Sequence, residues 1–210
     1  MQDYLFLVGF GLVIFGVIVA GMAIKKSQKK EAIENERLAK NAKKRLAATQ
    51  SLKRINWKPQ FSIDGGVIDE DHKTLIRLIN EFNAGIASFI TADKMIPNLK
   101  ALTEYTQEHF KREEELLAKT DFPLLDDHKK KHQAVIQQFN GLKLKALKTT
   151  EDTITDVAVE ISKFLQGWLS GHVIESDLPF RSYMDAARED TKDSTKNAGD
   201  AAENAAPPPT

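Results

Sequence analysis

The chain has 210 residues, and its 30 Lys and Arg balance 30 Asp and Glu, so the formal net charge is zero. That length allows one ordinary domain with attachments, or two small ones, and the charge balance excludes a nucleic-acid binder built on a strongly basic domain. The lack of any Cys excludes a disulfide framework, thiolate zinc sites, iron–sulfur clusters and a Cys nucleophile, and it fits a reducing compartment. Five His are present, so any imidazole chemistry draws on those five.

Residues 4–24 form an uncharged run of 21, rich in Leu, Val, Ile and Phe. As a helix the run would be about 31 Å long, close to the hydrocarbon thickness of a bilayer. A cleaved leader would carry its basic residues before a shorter apolar core. Here Asp3 precedes the run and Lys25, Lys26, Lys29 and Lys30 follow it. The expectation is therefore a transmembrane anchor over 1–24 that crosses once, with everything after Ile24 on the cytoplasmic side of a bacterial inner membrane.

Residues 25–54 carry 11 basic and 3 acidic side chains, a local charge of +8, with no Gly or Pro. This composition predicts a helical stalk with a thin apolar face of Ile33, Leu38, Ala42 and Leu46. It serves either as a solvated spacer or as a basic segment lying on anionic lipid. From Asp185 to Thr210 the chain lacks aromatic anchors and closes on Pro-Pro-Pro-Thr, which predicts a disordered tail.

Between these flanks, residues 55–184 contain four helical stripes. The first begins near Asp69 and carries Leu75, Ile76, Ile79, Phe82 and Ile86. The second follows Asp93, with Pro97 suited to a first turn, and runs through Leu99, Leu102, Phe110 and Leu117. Asp121-Phe122-Pro123 breaks the chain before a third helix with Val135, Ile136, Phe139 and Leu142. The fourth follows Glu151-Asp152-Thr153 and continues through Ile154, Val157, Ile161 and Leu165 to Trp168. Short links and the lack of strand-like alternation predict an all-α, up-down antiparallel four-helix bundle.

All five His fall within this block: His72 on the first helix, His109 on the second, His128 and His132 on the third, and His172 on the fourth. His109 and Glu113 are four residues apart, as are His128 and His132, so each pair shares a helix face. Five imidazoles and the Glu113 carboxylate can thus meet in the bundle interior, where a buried carboxylate needs a cationic partner. A second carboxylate would close the site. Asp177 is the best placed, although an α-helix would turn it about 140° from His172. Pro179 makes the preceding residue unlikely to continue a regular helix, while Glu175 is poorer by direction and Asp185 by distance. Magnesium and calcium prefer oxygen ligands, and a structural zinc needs only four groups. Two bridged iron ions use all seven side chains, although copper and manganese accept the same ligand types.

Asn56-Trp57 and the stretch Ile68, Asp69, Glu70, Asp71, His72, Lys73, Thr74, Leu75 begin a longer pattern. It continues through Ile79-Asn80, then His109-Phe110 with Glu113-Glu114, His128 and His132, and Trp168-Leu169 with His172, to Asp177. In this pattern residues 55–184 resemble the hemerythrins, specifically bacteriohemerythrin domains. The resemblance implies a non-haem di-iron centre with a bridging oxo or hydroxo group. One iron would take His128, His132 and His172, the other His72 and His109, and Glu113 and Asp177 would bridge them. It further implies that O2 binds reversibly at the open position of the second iron as a hydroperoxide, with Leu75, Phe110, Trp168, Leu169 and Val173 walling the pocket. Tyr105, one turn before His109, is placed to donate an outer hydrogen bond or to serve as a packed aromatic.

The functional expectation is a membrane-anchored oxygen carrier or store rather than an enzyme. Its partners would be O2, with nitric oxide as an alternative ligand, and membrane lipid at residues 4–24 and the basic stalk. A sensor of O2, redox state or nitric oxide acting through the stalk is one alternative, and a di-iron oxidase or peroxidase another. The Glu-x-x-His pairs of carboxylate-rich di-iron oxidases do not occur in the sequence, nor do His-Glu-x-x-His or His-Asp.

Overall fold

The computed structural model describes residues 2–89 and 91–186, with the side chains of 2–16 outside the described set. The first helix, α1, runs Gln2–Ser51 and passes from one compact unit, Met1–Lys44, into a second that begins at Arg45. Its described apolar side chains Val17, Ile18, Val19, Met22 and Ile24 are all exposed. No helix among the described residues is long and apolar enough to cross a membrane, and residues 4–16 of the expected anchor lie outside the described side chains. The expected tail falls mostly on 187–210, also outside the described residues, while Asp185 and Ala186 complete a helical segment at 181–186.

The second unit is a bundle of α2 (Val67–Gly85), α3 (Ala92–Leu117), α4 (Leu125–Leu147) and α5 (Ile154–Gly171). Each helix packs on the next in chain order and α5 returns to α2, which closes the ring of an up-down bundle. The apolar stripes meet in a core that includes Leu75, Ile79, Phe82, Leu99, Leu102, Phe139, Ile161 and Leu165. A smaller cluster of Ile63, Ile68, Leu117, Phe122, Phe180 and Met184 closes one end. Pro97 lies inside α3 rather than in its first turn, because Thr91, extended at φ −141°, starts the helix earlier than Asp93. At Asp121-Phe122-Pro123 the chain turns with Asp121 at φ 52°, a left-handed conformation that Asp tolerates.

Two devices set the first helix of the bundle. The Asp64 carboxylate accepts from the backbone N–H groups of Gly66, Ile68 and Asp69 at 2.9, 3.2 and 3.1 Å. Asp69 reaches back to accept from Ile63 and Gly65 at 2.7 and 3.0 Å, a reciprocal cap for the free N–H groups. Gly65 supplies the left-handed φ of +58° that this turn requires. The entry segment is clamped by Asn80, which accepts from Ile55 N at 3.0 Å and donates to Ile55 O at 2.8 Å.

Candidate metal centre

The bundle brings all seven expected side chains together. His72 comes from α2, His109 and Glu113 from α3, and His128 and His132 from α4. His172 and Asp177 come from a π-helical turn, His172–Asp177, that continues α5. Bonding from i to i+5 in a π-helix swings Asp177 back toward the face of His172. Its Oδ1 stands 3.4 Å from His172 Nε2 and its Oδ2 3.2 Å from His72 Nε2. Glu175 and Asp185 are exposed and take no part.

Glu113 Oε2 lies 3.3, 3.5, 3.6 and 3.7 Å from Nε2 of His132, His128, His172 and His109. The donor atoms fall into two overlapping groups, one of Glu113, His128, His132 and His172, the other of His72, His109 and His172. His172 thus sits between the groups, and both carboxylates touch members of each.

No ordinary hydrogen bond satisfies these atoms. All five Nε2 atoms and all four carboxylate oxygens of Glu113 and Asp177 are buried without a hydrogen-bond partner. Buried polar atoms are normally paired, so nine unpaired donor atoms converging on one point fit bound cations. The titration properties agree at three of the five rings, while His128, against its own burial, is raised above its ordinary value by Glu113. Burial pushes His72, His109 and His172 below the ordinary imidazole value, which keeps them neutral as metal ligands must be. Burial, then the nearby Glu113 charge, pushes Asp177 well above the usual carboxylate range. Burial also opposes ionisation of Glu113, but the surrounding imidazoles outweigh it and hold Glu113 well below its usual value.

Outer groups orient the rings. His132 Nδ1 lies 2.7 Å from Glu114 Oε1, and His109 Nδ1 lies 3.4 Å from Asp71 Oδ2. Asp71 accepts two bonds from Arg112, at 2.8 and 3.0 Å, and one from the Tyr105 hydroxyl at 2.8 Å. Tyr105 therefore acts on His109 through Asp71. With Nε2 turned to the centre, the Nδ1–H groups of these two rings donate outward to carboxylates, an arrangement common in metal sites. The sequence pattern includes Asp71 and Glu114 but gave them no role, and it gave Arg112 none. A signal existed in Tyr105 and Arg112, one turn before and nearly one turn after His109.

Of the expected pocket residues, Phe110 stacks on His132 at 3.6 Å between ring centroids, and half-buried Trp168 stacks on His172 at 5.7 Å. Leu75, Leu169 and Val173 are buried in the adjoining core. Leu169 and Val173 also line a 20 Å³ apolar cavity with Ile55, Trp57, Phe61 and Ile76. Phe180, which sequence reasoning passed over, meets His128 edge-on at 5.5 Å.

A four-helix bundle whose facing helices deliver imidazoles and carboxylates to a buried point belongs to the class of non-haem metal-binding bundles. Within that class the chain is a member of the hemerythrin family: residues 66–177, more than half of its length, match the Hemerythrin HHE cation binding domain. It is 30% identical over 130 residues to a hemerythrin-like protein of Naegleria gruberi, covering 62% of this chain and 93% of that protein. It is 26% identical over 132 residues to a bacteriohemerythrin of Clostridium acetobutylicum, covering 61% of this chain and 98% of the relative. A crystal structure of a hemerythrin mutant shares the fold with a TM-score of 0.53 at 21% identity, covering 63% of this chain and 98% of that one.

Proposed function

We propose that the bundle holds two iron ions with a bridging oxo or hydroxo group and binds O2 reversibly, for carriage or storage beside a membrane. The observation that carries this reading is the set of nine unpaired donor atoms at the centre. His128, His132 and His172 would hold one ion, His72 and His109 the other, with Glu113 and Asp177 across both. Two ferrous ions would supply the electrons drawn on when O2 is captured and recover them when it leaves. The His72 and His109 side carries fewer protein donors, which leaves room for a diatomic ligand; nitric oxide fits the same description.

The chain's own residues have separable tasks in this reading. Asp71 and Glu114 hold the His109 and His132 rings in register. Phe110, Trp168, Leu75, Leu169 and Val173 exclude water from the centre, which protects a reversibly bound ligand from protons and solvent. The His-rich donor set, unlike the four-carboxylate sets of di-iron oxidases, favours binding over catalysis. The test is iron content and a visible spectrum of the full chain in detergent. Two irons per chain are expected, with an O2-dependent band that fades under vacuum. One zinc per chain would overturn the assignment, and irreversible consumption of a second substrate would overturn carriage.

The membrane anchor over 4–24 is part of the same proposal. Its support is the uncharged run, the basic residues that follow it, and the exposed apolar side chains from Val17 to Ile24. The positive flank favours a cytoplasmic bundle at a bacterial inner membrane. Extraction from membranes by detergent but not by alkaline carbonate is expected, and release by carbonate would refute the anchor.

A further inference from the structure

All seven expected ligands are buried, so the centre needs an entry path as well as a donor set. The approaches to it differ in room and in chemistry. On the His128 side, Phe180 has no exposure and meets the ring edge-on at 5.5 Å. On the His109 side, Asp71 already holds the Arg112 guanidinium at 2.8 and 3.0 Å, a fixed cation in the way of another. The apolar cavity beside Leu169 and Val173 measures 20 Å³, room for about one water molecule.

The α3–α4 side is different. Gln107, Phe110, Lys111 and Glu114 of α3 and His132 and Gln133 of α4 help line a surface cavity of 410 Å³. An ion with six waters occupies about 180 Å³ at roughly 30 Å³ per water, so this cavity admits it fully hydrated. The Glu114 side chain is 28% exposed, whereas that of His132 is 3% exposed. The His132 ring is the partition between cavity and centre: Nδ1 lies 2.7 Å from Glu114 Oε1 and Nε2 3.3 Å from Glu113 Oε2. Behind it, His132 Nε2 and both Glu113 oxygens are buried without a hydrogen-bond partner. Phe110 stacks on the ring at 3.6 Å, a contact worth about 0.5–1.5 kcal/mol and therefore a latch that thermal motion opens.

We propose that the α3–α4 cavity is the port through which divalent cations reach and leave the metal centre. The Glu114 carboxylate receives the hydrated ion, and the His132 ring, latched by Phe110, is the door. Glu114 and Glu113 are consecutive on α3 and stand on the two sides of that ring. An incoming ion therefore exchanges its waters for carboxylate oxygens in steps, and no bare charge crosses an apolar wall.

The test uses the full chain in detergent, freed of metal and mixed anaerobically with ferrous ions. A chromogenic chelator reads uptake in quenched samples and, in excess over the loaded chain, reads release. Gln107→Trp/Gln133→Trp places two indoles in the cavity at exposed positions that hold no metal ligand. A blocked port raises one barrier for both directions, so uptake and release should slow by the same factor, about tenfold, with the affinity unchanged. Lys111→Glu replaces a cation that repels an incoming one. It should instead speed uptake at low ionic strength, a gain that added salt screens away. Unchanged rates in both variants, or a changed affinity with unchanged uptake, would overturn the port. Equal slowing by Ser170→Trp, an exposed position on the 20 Å³ cavity, would overturn it too. The proposal rests on the metal-binding reading above. A wild-type chain that takes up no ferrous ion sinks both, whereas normal uptake that the double variant leaves unslowed sinks the port alone.

Discussion

Asp71→Asn removes one negative charge without changing size, so it isolates what that charge does. The Asp71 side chain is 9% exposed and faces Arg112, Tyr105 and His109. A buried hydrogen bond to a charged group contributes about 1.5–3 kcal/mol. The Arg112 side chain is 35% exposed, so solvent screening reduces its pair to about 1 kcal/mol. The Tyr105 bond adds about 1 kcal/mol, and the 3.4 Å His109 contact adds little. The variant should therefore lose roughly 2 kcal/mol, a drop in Tm of about 4–8 °C for a chain of this size. The metal effect is separate. With the orienting carboxylate reduced to a neutral amide, His109 should hold metal more weakly, by up to about 10–100-fold. Denaturation of the metal-free chain and competition with a chelator measure the two effects independently. The pH dependence gives a further check. Burial opposes the Asp71 charge, but His109, Arg112 and Tyr105 hold its pKa well below the usual range. Its contribution is then complete above the unfolded value of about 3.9 and fades as the pH falls toward the folded one. A variant equal to wild type in Tm and metal affinity would refute this account of Asp71.

Glu113→Gln should lower iron occupancy below two per chain by metal analysis, because a fully buried carboxylate that touches four imidazoles is lost; unchanged occupancy would refute its bridging role. Leu75→Ala, at a site with no exposure, should cost about 2–5 kcal/mol and shorten the life of the oxygenated protein; an unchanged lifetime would remove Leu75 from the pocket wall. Metal-free protein should lose stability as the pH falls below about 6.5, because His72, His109 and His172 fold with lowered pKa values and the unfolded state binds more protons there. Glu113, held low against its burial by the imidazoles around it, adds to this loss, while Asp177, raised by burial, and His128, raised against its own burial by Glu113, oppose it. Metal loading should flatten the dependence, read as Tm against pH, and release the Asp177 proton on binding.

The parts of the site readable in the sequence were those set by one helix at a time. His109 with Glu113, and His128 with His132, obey the four-residue rule, so their shared faces follow from helix geometry alone. The pairing of the four helices followed from short links. Asp177 depended on a local departure, the π-helical turn His172–Asp177, which spacing in a regular helix contradicts. Asp71 and Arg112 are 41 residues apart and meet only where α2 packs on α3, a contact that no local pattern carries. The Asn80 clamp on Ile55 is similarly non-local, and it orders an entry segment that has no periodicity of its own.

The count of donor atoms also bears on how many ions the centre takes. Five Nε2 atoms and four carboxylate oxygens are unpaired. One ion of octahedral preference would take six ligands, leaving three buried atoms unsatisfied at about 1–3 kcal/mol each. That residual cost, roughly 3–9 kcal/mol, rivals the whole stability of an ordinary domain, about 5–15 kcal/mol. Two ions sharing Glu113 and Asp177 would engage all nine atoms. His172, within reach of both donor groups, fits a paired centre better than a single ion at either end. The outer carboxylates divide in the same way, Glu114 behind His132 in one group and Asp71 behind His109 in the other. Each half of the centre thus has one ring fixed from outside, while His72, whose Nδ1 also lacks a partner, has no such support and would be the ligand most free to adjust when a diatomic enters its side.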